Sequence, residues 1–513
     1  MIEPLRGRRI LLGVSGSIAA FKAAALASQL TQAGAQVITL LTRAATEFVT
    51  PLTFRGLTGQ PAYTDADLWG PHGHILHVDL ARQADALVVA PATADTLARL
   101  AQGRADTLLS LAALTLRPGT PLVLVPAMDA GMWEHPATQA NVATLTARGA
   151  VFLGPEEGRL ASGLVARGRM MEPEAVLAHV RRLMAVRHGP LRGLRVLVTA
   201  GPTWEALDPV RGLTNRSSGR QGYAVAQAAL DAGAEVVLVS GPVALTPPVE
   251  AQVVPVESAR QMHAAVMAHL PGTDMLFKVA AVADYRPAQT AAYKIKKSTE
   301  ALTVTLVRNP DILQDVAAYR HRHGEPRVVV GFAAESHLDP AALQGKLRAK
   351  GLDLLAVNDI TAADAGFRVP TNRIRLLYAD GRQEDWPLWS KTTVARHLVA
   401  RAWHLQQESR LWLLVPRADW QAARVAEVYR PERLDAQGFL PLLRPDQPAA
   451  LAYAAEARRA DACRVEVDAR RLRAVLDWAP WDGDLVARLH GPLNVDAVVE
   501  ARAWPSSESP AAA

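Results

Sequence analysis

Short apolar strands alternate with helical segments through the first 400 residues, and this alternation limits the possible fold more than any other feature. Apolar strands that alternate with helices are typical of a parallel sheet buried on both faces. The sequence therefore predicts an α/β fold with a doubly wound, mostly parallel sheet. The first series of strands is predicted at Arg9 to Val14, Gln36 to Leu41, Ala86 to Ala90, Leu122 to Pro126 and Val151 to Gly154.

The same alternation starts again after a predicted linker, Arg187 to Pro190, which indicates a second α/β domain. After about Arg401 the helix and strand signals become short, which predicts a third, small α+β domain. The predicted domains are 1–188, 191–403 and 408–504, followed by a disordered tail at 505–513. The second series of strands is predicted at Arg195 to Thr199, Glu235 to Ser240, Met275 to Val279, Val328 to Phe332 and Leu354 to Val357.

Composition excludes several classes of protein. The only cysteine is Cys463, so no intramolecular disulfide can form, as suits a reducing compartment. The net charge is +6, but the arginines are scattered beside acids and no basic run interleaves with aromatic residues, which argues against a nucleic-acid partner. No apolar run reaches the ~18 residues of a membrane span. We expect a cytoplasmic protein that does not bind membranes.

Lysine is unevenly distributed in this arginine-rich chain. Of eight lysines, six fall between Lys278 and Lys350. An ammonium group is a compact charge that can meet a phosphate where the planar guanidinium does not fit. The cluster indicates a phosphate-handling site; the alternative is a chance cluster on a solvated face.

In the first α/β domain, small and hydroxyl residues follow several strands. Gly16 and Ser17 join the first strand to a helix, Thr42 follows the second strand, and Pro91 to Ala94 follow a third. Because the carboxyl ends of parallel strands share one edge, these turns predict a ligand crevice there. The turns lack the Gly-x-Gly-x-x-Gly spacing, which disfavours a nicotinamide oxidoreductase.

These turns, together with Ala45 to Phe54, resemble the flavin-dependent cysteine decarboxylases, above all phosphopantothenoylcysteine decarboxylase, over residues 8–185. The resemblance implies a trimer with FMN in a site shared between subunits. It also implies that His77, in the His77 to Ala81 motif, is catalytic. The implied FMN-binding residues are Gly16, Ser17, Thr42, Pro91, Ala92, Thr93 and Ala94.

The chain departs from that family at two implied site positions. Ser162 replaces the cysteine of the substrate flap, and Asp129 replaces an asparagine. The resemblance assigns Ser162 to catalysis, and Asp129, Arg169 and Met170 to substrate binding. In this chemistry the thiol is oxidised, CO2 is lost, and return of the electrons to the enethiol needs a proton donor. A hydroxyl is a far weaker acid than a thiol of pKa about 8.5, so we expect a domain that binds flavin but decarboxylates poorly.

In the second α/β domain, a long loop between the first strand and its helix is dense in glycine and hydroxyl residues and contains Arg211 and Asn215. Acids and lysines then follow successive strands, as at Asp284, Lys294 and Lys346. Such groups at the carboxyl edge of a sheet suit a nucleoside triphosphate and Mg2+.

This second run of motifs resembles phosphopantothenate–cysteine ligase over about 200 residues. The resemblance implies that CTP activates the carboxylate of 4'-phosphopantothenate as an acyl-cytidylate, from which cysteine displaces CMP. Lys294 and Asn215 are the implied catalytic residues, and Arg211, Asn215, Ala280 and Ala281 the implied substrate-binding residues. The implied CTP-binding residues are Lys278, Asp284, Lys294, Pro310, Asp311, Ile312, Leu313, Phe332, Lys346 and Lys350.

Together the two resemblances are those of the bifunctional coenzyme A biosynthesis family, which implies a homo-oligomer with trimer contacts in the flavin domain, dimer contacts in the ligase domain, and up to twelve subunits. The C-terminal segment resembles a small α+β family of unknown function but lacks its usual histidines at Leu440 to Leu442 and Arg488 to Leu489. We expect a non-catalytic appendage there. The alternative for the whole chain is a flavin-binding regulatory or scaffold protein with an inactive decarboxylase half.

Overall fold

A computed structural model describes residues 3–70, 73–296, 302–335, 339–359, 364, 366, 369–408, 410–431, 434–435, 440–442, 462–468, 472, 475–481 and 484–503. The chain divides into two compact units. One unit holds Met1–Leu194 with Gln227–Glu235 and Pro247–Ala251, and the other holds the rest. The tail predicted at 505–513 lies outside the described residues.

The first unit alternates strands and helices as predicted. Its strands are β1 (Arg9–Val14), β2 (Gln36–Leu41), β3 (Ala62–Thr64), β4 (Ala86–Ala92), β5 (Leu122–Pro126), β6 (Val151–Phe152), β7 (Glu156–Arg159) and β8 (Val165–Arg169). Its helices are α1 (Ala20–Gln32), α2 (Pro51–Thr58), α3 (Gly73–Gln83), α4 (Ala94–Gln102), α5 (Leu108–Leu114), α6 (Ala130–Glu134), α7 (Pro136–Ala147) and α8 (Pro173–His188).

The main sheet of this unit has the order β3-β2-β1-β4-β5-β6, and all its pairings are parallel. Leu11 and Leu12, neighbours in β1, are both fully buried but belong to different apolar clusters, one on each face of the sheet. Burial on both faces explains why the strand is continuously apolar. The order in which successive strands are added to the sheet reverses between β1 and β4, and ligands bind at such a switch point in open α/β sheets.

The chain from Arg195 to Glu408 repeats this architecture. Its strands are β9 (Arg195–Ala200), β10 (Trp204–Ala206), β11 (Gly212–Thr214), β12 (Glu235–Ser240), β13 (Gln252–Pro255), β14 (Met275–Lys278), β15 (Tyr285–Pro287), β16 (Leu306–Arg308), β17 (Val328–Glu335), β18 (Leu354–Asp359), β19 (Thr371–Asn372), β20 (Ile374–Tyr378), β21 (Gln383–Asp385) and β22 (Trp389–Ser390). Its helices are α9 (Arg220–Asp231), α10 (Ala259–His269), α11 (Ile312–His323), α12 (Pro340–Ala349) and α13 (Lys391–Glu408).

The large sheet of this region has the order β13-β12-β9-β14-β17-β18-β20-β21. The pairs β13–β12, β9–β14, β14–β17 and β17–β18 are parallel, like those of the first unit, and β20 and β21 extend the sheet with antiparallel pairings. Two hairpins, β10–β11 and β15–β16, stand outside the sheet. The predicted fold class, with two mostly parallel sheets, is confirmed.

The predicted linker was misplaced in part, because a helix runs into it. Helix α8 continues to His188, so Arg187 and His188 are helical rather than linker residues. Helix α13 continues to Glu408, past residue 403, the predicted end of the second domain. Both stretches lack a strong helix breaker before Gly189 and β23 respectively, and side chains such as the fully buried Met184 and Ala402 keep the helices packed.

The C-terminal segment forms small antiparallel sheets with one helix in its described part. The strand orders are β23-β26-β30, β25-β28-β27 and β24-β29, and the buried core includes Leu413, Trp420 and Val465. The elements are β23 (Arg410–Pro416), α14 (Arg417–Ala426), β24 (Val428–Tyr429), β25 (Leu440–Leu442), β26 (Ala462–Asp468), β27 (Val475–Trp481), β28 (Asp484–His490), β29 (Leu493–Asn494) and β30 (Val498–Ala503).

Candidate active sites

The buried serine at the end of β1 joins two of the turns that were predicted to hold a ligand in the first unit. The Ser15 hydroxyl donates to the carbonyl oxygen of Pro91 at 2.7 Å and accepts from the backbone N–H of Thr93 at 3.1 Å. These bonds hold the turn after β1 against the turn after β4, at the topological switch point. Sequence reasoning missed Ser15, although it directly precedes the predicted Gly16.

A cavity of about 570 Å3, the first cavity, opens at this switch point. Four of the seven residues predicted to bind FMN line it: Gly16, Thr42, Thr93 and Ala94. Ser17, Pro91 and Ala92 do not. The lining also includes Arg43, Ala44, Glu47, Asp65, Asp95, Thr96, Arg99, Leu100, Thr107, Leu109, Ser110 and Met132.

The residues of the first cavity fit a phosphate-bearing flavin. Its volume lies within the ~300–1,000 Å3 typical of ligand sites. A Cβ at Gly16 would lie 2.4 Å from the Cβ of Ala44, so only glycine lets the turn after β1 approach the turn after β2 this closely. Backbone N–H groups there and the hydroxyls of Thr42 and Thr93 are donors of the kind that hold a phosphate at a helix N-terminus.

One arginine on the wall of the first cavity is paired with two aspartates. Arg99 pairs with Asp95 at 2.8 Å and also with Asp106. The hydrogen bond from Arg99 lowers the pKa of Asp106 and the two acids raise that of Arg99. The carboxylates of Asp95 and Asp106 thus hold the guanidinium of Arg99.

The two residues that depart from the decarboxylase family touch each other. The hydroxyl of Ser162, in the turn between β7 and β8, donates to Asp129 Oδ2 at 2.8 Å. Asp129 is also the N-cap of α6, and its Oδ1 accepts from the N–H of Gly131 at 3.1 Å. Ser162 is therefore hydrogen-bonded to Asp129, the residue that stands in place of the family's asparagine.

The other predicted residues of this half lie apart from the first cavity. His77 is in α3, and its Nδ1 is buried with no hydrogen-bond partner among the described residues. Arg169 pairs with Glu172, and the buried Met170 accepts at its carbonyl from Lys22 Nζ at 3.0 Å. The structure thus brings together Ser162 and Asp129 but does not place His77, Arg169 or Met170 on the wall of the first cavity.

Threonine hydroxyls join the turns after β9 and β14 in the same way that Ser15 does in the first unit. Thr199 Oγ1 accepts from the N–H groups of Val279 and Ala280, both at 3.1 Å. Thr203 Oγ1 accepts from the N–H of Ala283 at 2.9 Å. The backbone of the predicted substrate residues is thereby fixed at the carboxyl edge of the sheet.

A second cavity of about 620 Å3 gathers nine of the ten residues predicted to bind CTP. Only Lys294 is missing from its wall. The nine are Lys278, Asp284, Pro310, Asp311, Ile312, Leu313, Phe332, Lys346 and Lys350, and they are joined by Val282, Ala283, Tyr285, Arg308, Asn309, Gln314, Leu352 and Leu355.

Cations dominate the polar wall of the second cavity. Burial lowers the pKa of Lys278 to about 8, an effect that the nearby Asp284 and Asp311 oppose. Lys350 pairs with Asp311, and Lys346 pairs with Glu335 at 2.8 Å. Asp311 is the N-cap of α11, so its carboxylate is also bonded to the helix N-terminus. Four cationic and two acidic residues line the cavity, which suits a polyanion.

A third cavity of about 270 Å3 adjoins the second and shares Lys278, Asp284, Phe332 and Lys346 with it. Ala280 and Ala281, predicted to bind substrate, line this cavity. Several other polar residues of its wall were not predicted as site residues, among them Gln221, Asn358, Asn372 and Lys391. Of these four, only Asn358 stood at a predicted strand end.

The three remaining predicted ligase residues do not line these cavities. Asn215 donates to the carbonyl of Ala281 and accepts from the N–H of Ser217 at 3.0 Å. Arg211 donates from Nη2 to Asp208 at 2.6 Å and to the carbonyl of Ile295 at 2.8 Å. The exposed Lys294 directly precedes Ile295.

No group of three or more His, Cys, Asp or Glu side chains in the described part of the chain could hold a metal ion. Within the same residues, no helix is long and apolar enough to cross a membrane.

Three known families match successive parts of the chain. The family described as Flavoprotein matches residues 2–185, and the DNA/pantothenate metabolism flavoprotein C-terminal domain matches residues 191–405. A family of unknown function (DUF952) matches residues 414–501. The folds, the cavities and these matches define a flavoprotein joined to a pantothenate-metabolism domain.

Close relatives define the family more narrowly. The coenzyme A biosynthesis bifunctional protein CoaBC of Vibrio vulnificus (strain CMCP6) is 42% identical over 400 residues, which cover 78% of this chain and 98% of the relative. CoaBC of Mycobacterium tuberculosis (strain H37Rv) is 45% identical over 405 residues, 76% of this chain and 95% of the relative. The chain belongs to the CoaBC family of bifunctional coenzyme A biosynthesis enzymes, and its front half is an FMN-dependent flavoprotein domain.

Two solved structures also match. The C-terminal domain of a CoaBC is 37% identical and covers 43% of this chain and 100% of its own length, with a TM-score of 0.37. A cysteine-to-serine mutant of a PPC decarboxylase, complexed with pantothenoylaminoethenethiol, is 35% identical and covers 35% of this chain and 98% of its own, with a TM-score of 0.33.

Proposed function

We propose that residues 191–403 join 4'-phosphopantothenate to cysteine with CTP as the activating nucleotide, carried as its Mg2+ complex. The carboxylate attacks the α-phosphorus of CTP, pyrophosphate leaves, and the amine of cysteine then displaces CMP from the acyl-cytidylate. A free carboxylate would have to expel oxide from its carbonyl carbon, whereas the acyl-cytidylate expels CMP, a good leaving group, which is why the carboxylate needs this activation. The observation that carries the proposal is the meeting of nine predicted nucleotide residues on the wall of the second cavity.

The residues divide the work by position and charge. Lys278, Lys346 and Lys350 would hold the triphosphate in the second cavity, where partial burial strengthens each charge. Lys294 would stabilise charge that develops on the transferring phosphate. Ala280 and Ala281, on the wall of the third cavity, would contact phosphopantothenate, with Asn215 bonded behind Ala281 to support the second step.

The test is an assay with CTP, phosphopantothenate and cysteine. We expect pyrophosphate release that requires CTP and phosphopantothenate, and CMP release that requires cysteine as well. Substitution of ATP for CTP tests the choice of nucleotide. A purified protein that releases no pyrophosphate under these conditions would contradict the proposal.

We further propose that the front half binds FMN but decarboxylates phosphopantothenoylcysteine slowly. When bound, the flavin supplies the electron-accepting group for the substrate thiol. This chain's residues must then hold the substrate carboxylate and deliver a proton to the enethiol. Asp129, an ionised acceptor where the family has an amide, would repel that carboxylate, and Ser162 donates its only proton to Asp129. Robust CO2 release by the purified protein would refute this proposal.

Exposed apolar side chains support the proposed assembly. In the first unit Ile18, Phe21, Leu52 and Trp69 are all more than half exposed, as large apolar residues at protein interfaces are in an isolated subunit. In the second region Tyr293 is 85% exposed. We propose trimer contacts through the first unit and dimer contacts through the second. Light scattering of the purified protein measures the subunit number.

The C-terminal segment, 408–504, is proposed to be a non-catalytic appendage. The strand Leu440–Leu442, one of the two places where the related family has histidines, is buried. Deletion of this segment is expected to leave ligation unchanged.

A further inference from the structure

Asp208 is a buried carboxylate that the proposed mechanism does not use. Asp208 is only 2% exposed, and it lies in the turn between β10 and β11. Its Oδ1 accepts from the N–H groups of Val210 and Arg211, both at 2.8 Å. Its Oδ2 accepts from Arg211 Nε at 3.0 Å, from Arg211 Nη2 at 2.6 Å and from the N–H of Ile295 at 3.1 Å. Five hydrogen bonds therefore satisfy a charge that would otherwise be costly to bury.

The Asp208–Arg211 ion pair holds both backbone polar groups of one distant residue. The N–H of Ile295 donates to Asp208, and the carbonyl of Ile295 accepts from Arg211 Nη2 at 2.8 Å. Ile295 is 87 positions from Asp208 in sequence. The segment around it also meets the hairpin through the N–H of Ala291, which donates to the carbonyl of Leu207 at 2.9 Å. Ile295 follows Lys294 directly, so these contacts fix the backbone from which Lys294 extends.

The same contacts change the expected role of Arg211. Its Nε and Nη2 are used by Asp208 and Ile295, and the carboxylate neutralises its charge. An arginine bound in this way acts through what it holds in place more than through its charge on a substrate. Its planar fork reaches two acceptors at once, which a lysine ammonium does not do with the same fixed geometry.

We propose that Asp208 is a positioning residue for the ligation: together with Arg211 it clamps Ile295 and so sets the place from which Lys294 reaches the transferring phosphate. This inference rests on the proposed ligase function. In this inference Asp208 affects the reaction only through Lys294, and the β10–β11 hairpin supports the segment that contains Lys294.

The test is Asp208→Asn in the full chain. The amide is nearly isosteric with the carboxylate. Its NH2 group, however, is a donor and cannot accept the hydrogen bonds that the N–H groups of Ile295 and Arg211 donate to the carboxylate. We expect CTP-dependent pyrophosphate release to fall at least tenfold in kcat, with the KM for CTP changed less than twofold, because the second cavity stays intact. Amide hydrogen exchange at Ile295 should become faster. Asp385→Asn, which removes another arginine-paired aspartate from the same region, is the matched control and should leave all three readouts unchanged.

A double-variant comparison separates positioning from general stability. If Asp208 acts through Lys294, adding Asp208→Asn to Lys294→Gln should reduce the rate by no more than a further twofold. The inference would be overturned if the rate losses of the two single variants multiplied in the double variant. It would also be overturned if Asp208→Asn left kcat unchanged. If Asp208→Asn does not fold, Arg211→Lys keeps the ion pair but removes the fork, and the same outcomes apply to it. A wild-type chain without pyrophosphate release refutes the proposed function itself, whereas an active wild type with an unaffected variant refutes only the clamp.

Discussion

The parallel strands of the first and second α/β regions have the same order, but the cavities of the two regions are lined by different charged residues. In both, the first strand lies between the second and fourth parallel strands, and a hydroxyl at its end, Ser15 or Thr199, bonds the backbone of the turn across the switch point. The first cavity is lined by two arginines and three acids, and the second by four cations and two acids. The shared topology supplies a place for a ligand, and the residues at the strand ends decide which ligand fits.

The two regions also differ in the hairpins that accompany their sheets. Beside the first sheet, the β7–β8 turn presents a serine that is bonded to Asp129. Beside the second, the β10–β11 hairpin and its partner Ile295 hold the segment of the predicted catalytic Lys294. A substitution in the first flap removes a reactive group, whereas the second region keeps its motif residues and an ion pair that supports them.

The largest expected effect is a gain of function in the first region. In the double variant Ser162→Cys with Asp129→Asn we expect formation of 4'-phosphopantetheine from phosphopantothenoylcysteine to rise about 100-fold, since a positioned general acid contributes ~10²–10⁴. Ser162→Ala is the control and should stay as slow as the unchanged chain. Equal rates in the double variant and the unchanged chain would remove these two positions as the cause.

Loss of the predicted catalytic lysine comes next and should leave the first region untouched. Lys294→Gln is expected to reduce CTP-dependent pyrophosphate release at least tenfold, because it removes a charge that stabilises the transferring phosphate. Lys296→Gln, two residues along the same segment, is the matched control. Flavin absorption near 450 nm should be the same in both variants. Unchanged pyrophosphate release in Lys294→Gln would exclude that residue from the site.

A smaller effect is expected in the pH dependence of nucleotide binding by the second cavity. Burial lowers the pKa of Lys278 to about 8, so its positive charge is lost as the pH rises through that value. Because a polyanion binds better to the protonated amine, the KM for CTP should increase several-fold between pH 7 and pH 9. Lys278→Arg keeps its charge over this range and should flatten the profile. An equally steep profile in that variant would assign the titration to another group.

The smallest expected effect concerns the stability of the second region alone. Glu384 accepts from Arg401, from the hydroxyl of Tyr378 and from Trp386 Nε1, and the Arg401 hydrogen bonds contribute most to lowering its pKa to about 2. Its stabilising contribution is therefore present above its ordinary pKa of 4.5 and is lost as the pH falls from there towards 2. Glu384→Gln should lower the Tm by about 5 °C at pH 7, and by less at pH 3. Calorimetry at the two pH values measures this; a pH-independent difference would contradict it.

Much of the architecture and of the second cavity was predictable because the signals are local. An apolar strand followed by a turn and a helix predicts a parallel sheet, and parallel strands bring their carboxyl ends to one edge. Residues at or just after those ends, such as Lys278 and Asp284, therefore meet without any knowledge of tertiary contacts. Lys294 is not on the wall because it belongs to a segment between two hairpin strands, whose place no strand order determines. The roles of all these residues stay predictions.

Contacts between residues far apart in sequence were decided by the tertiary structure alone. By itself, the sequence determined the two α/β sheets. It also shows that Ser162 replaces the flap cysteine and that the ligase motif residues are present. No periodicity relates Asp208 to Ile295, Ser162 to Asp129, or Lys391 to the third cavity, because each pairing depends on how a loop returns across a finished sheet. Secondary-structure propensity acts over a few residues, whereas the placement of a return loop is set by packing and by buried charges that must find partners.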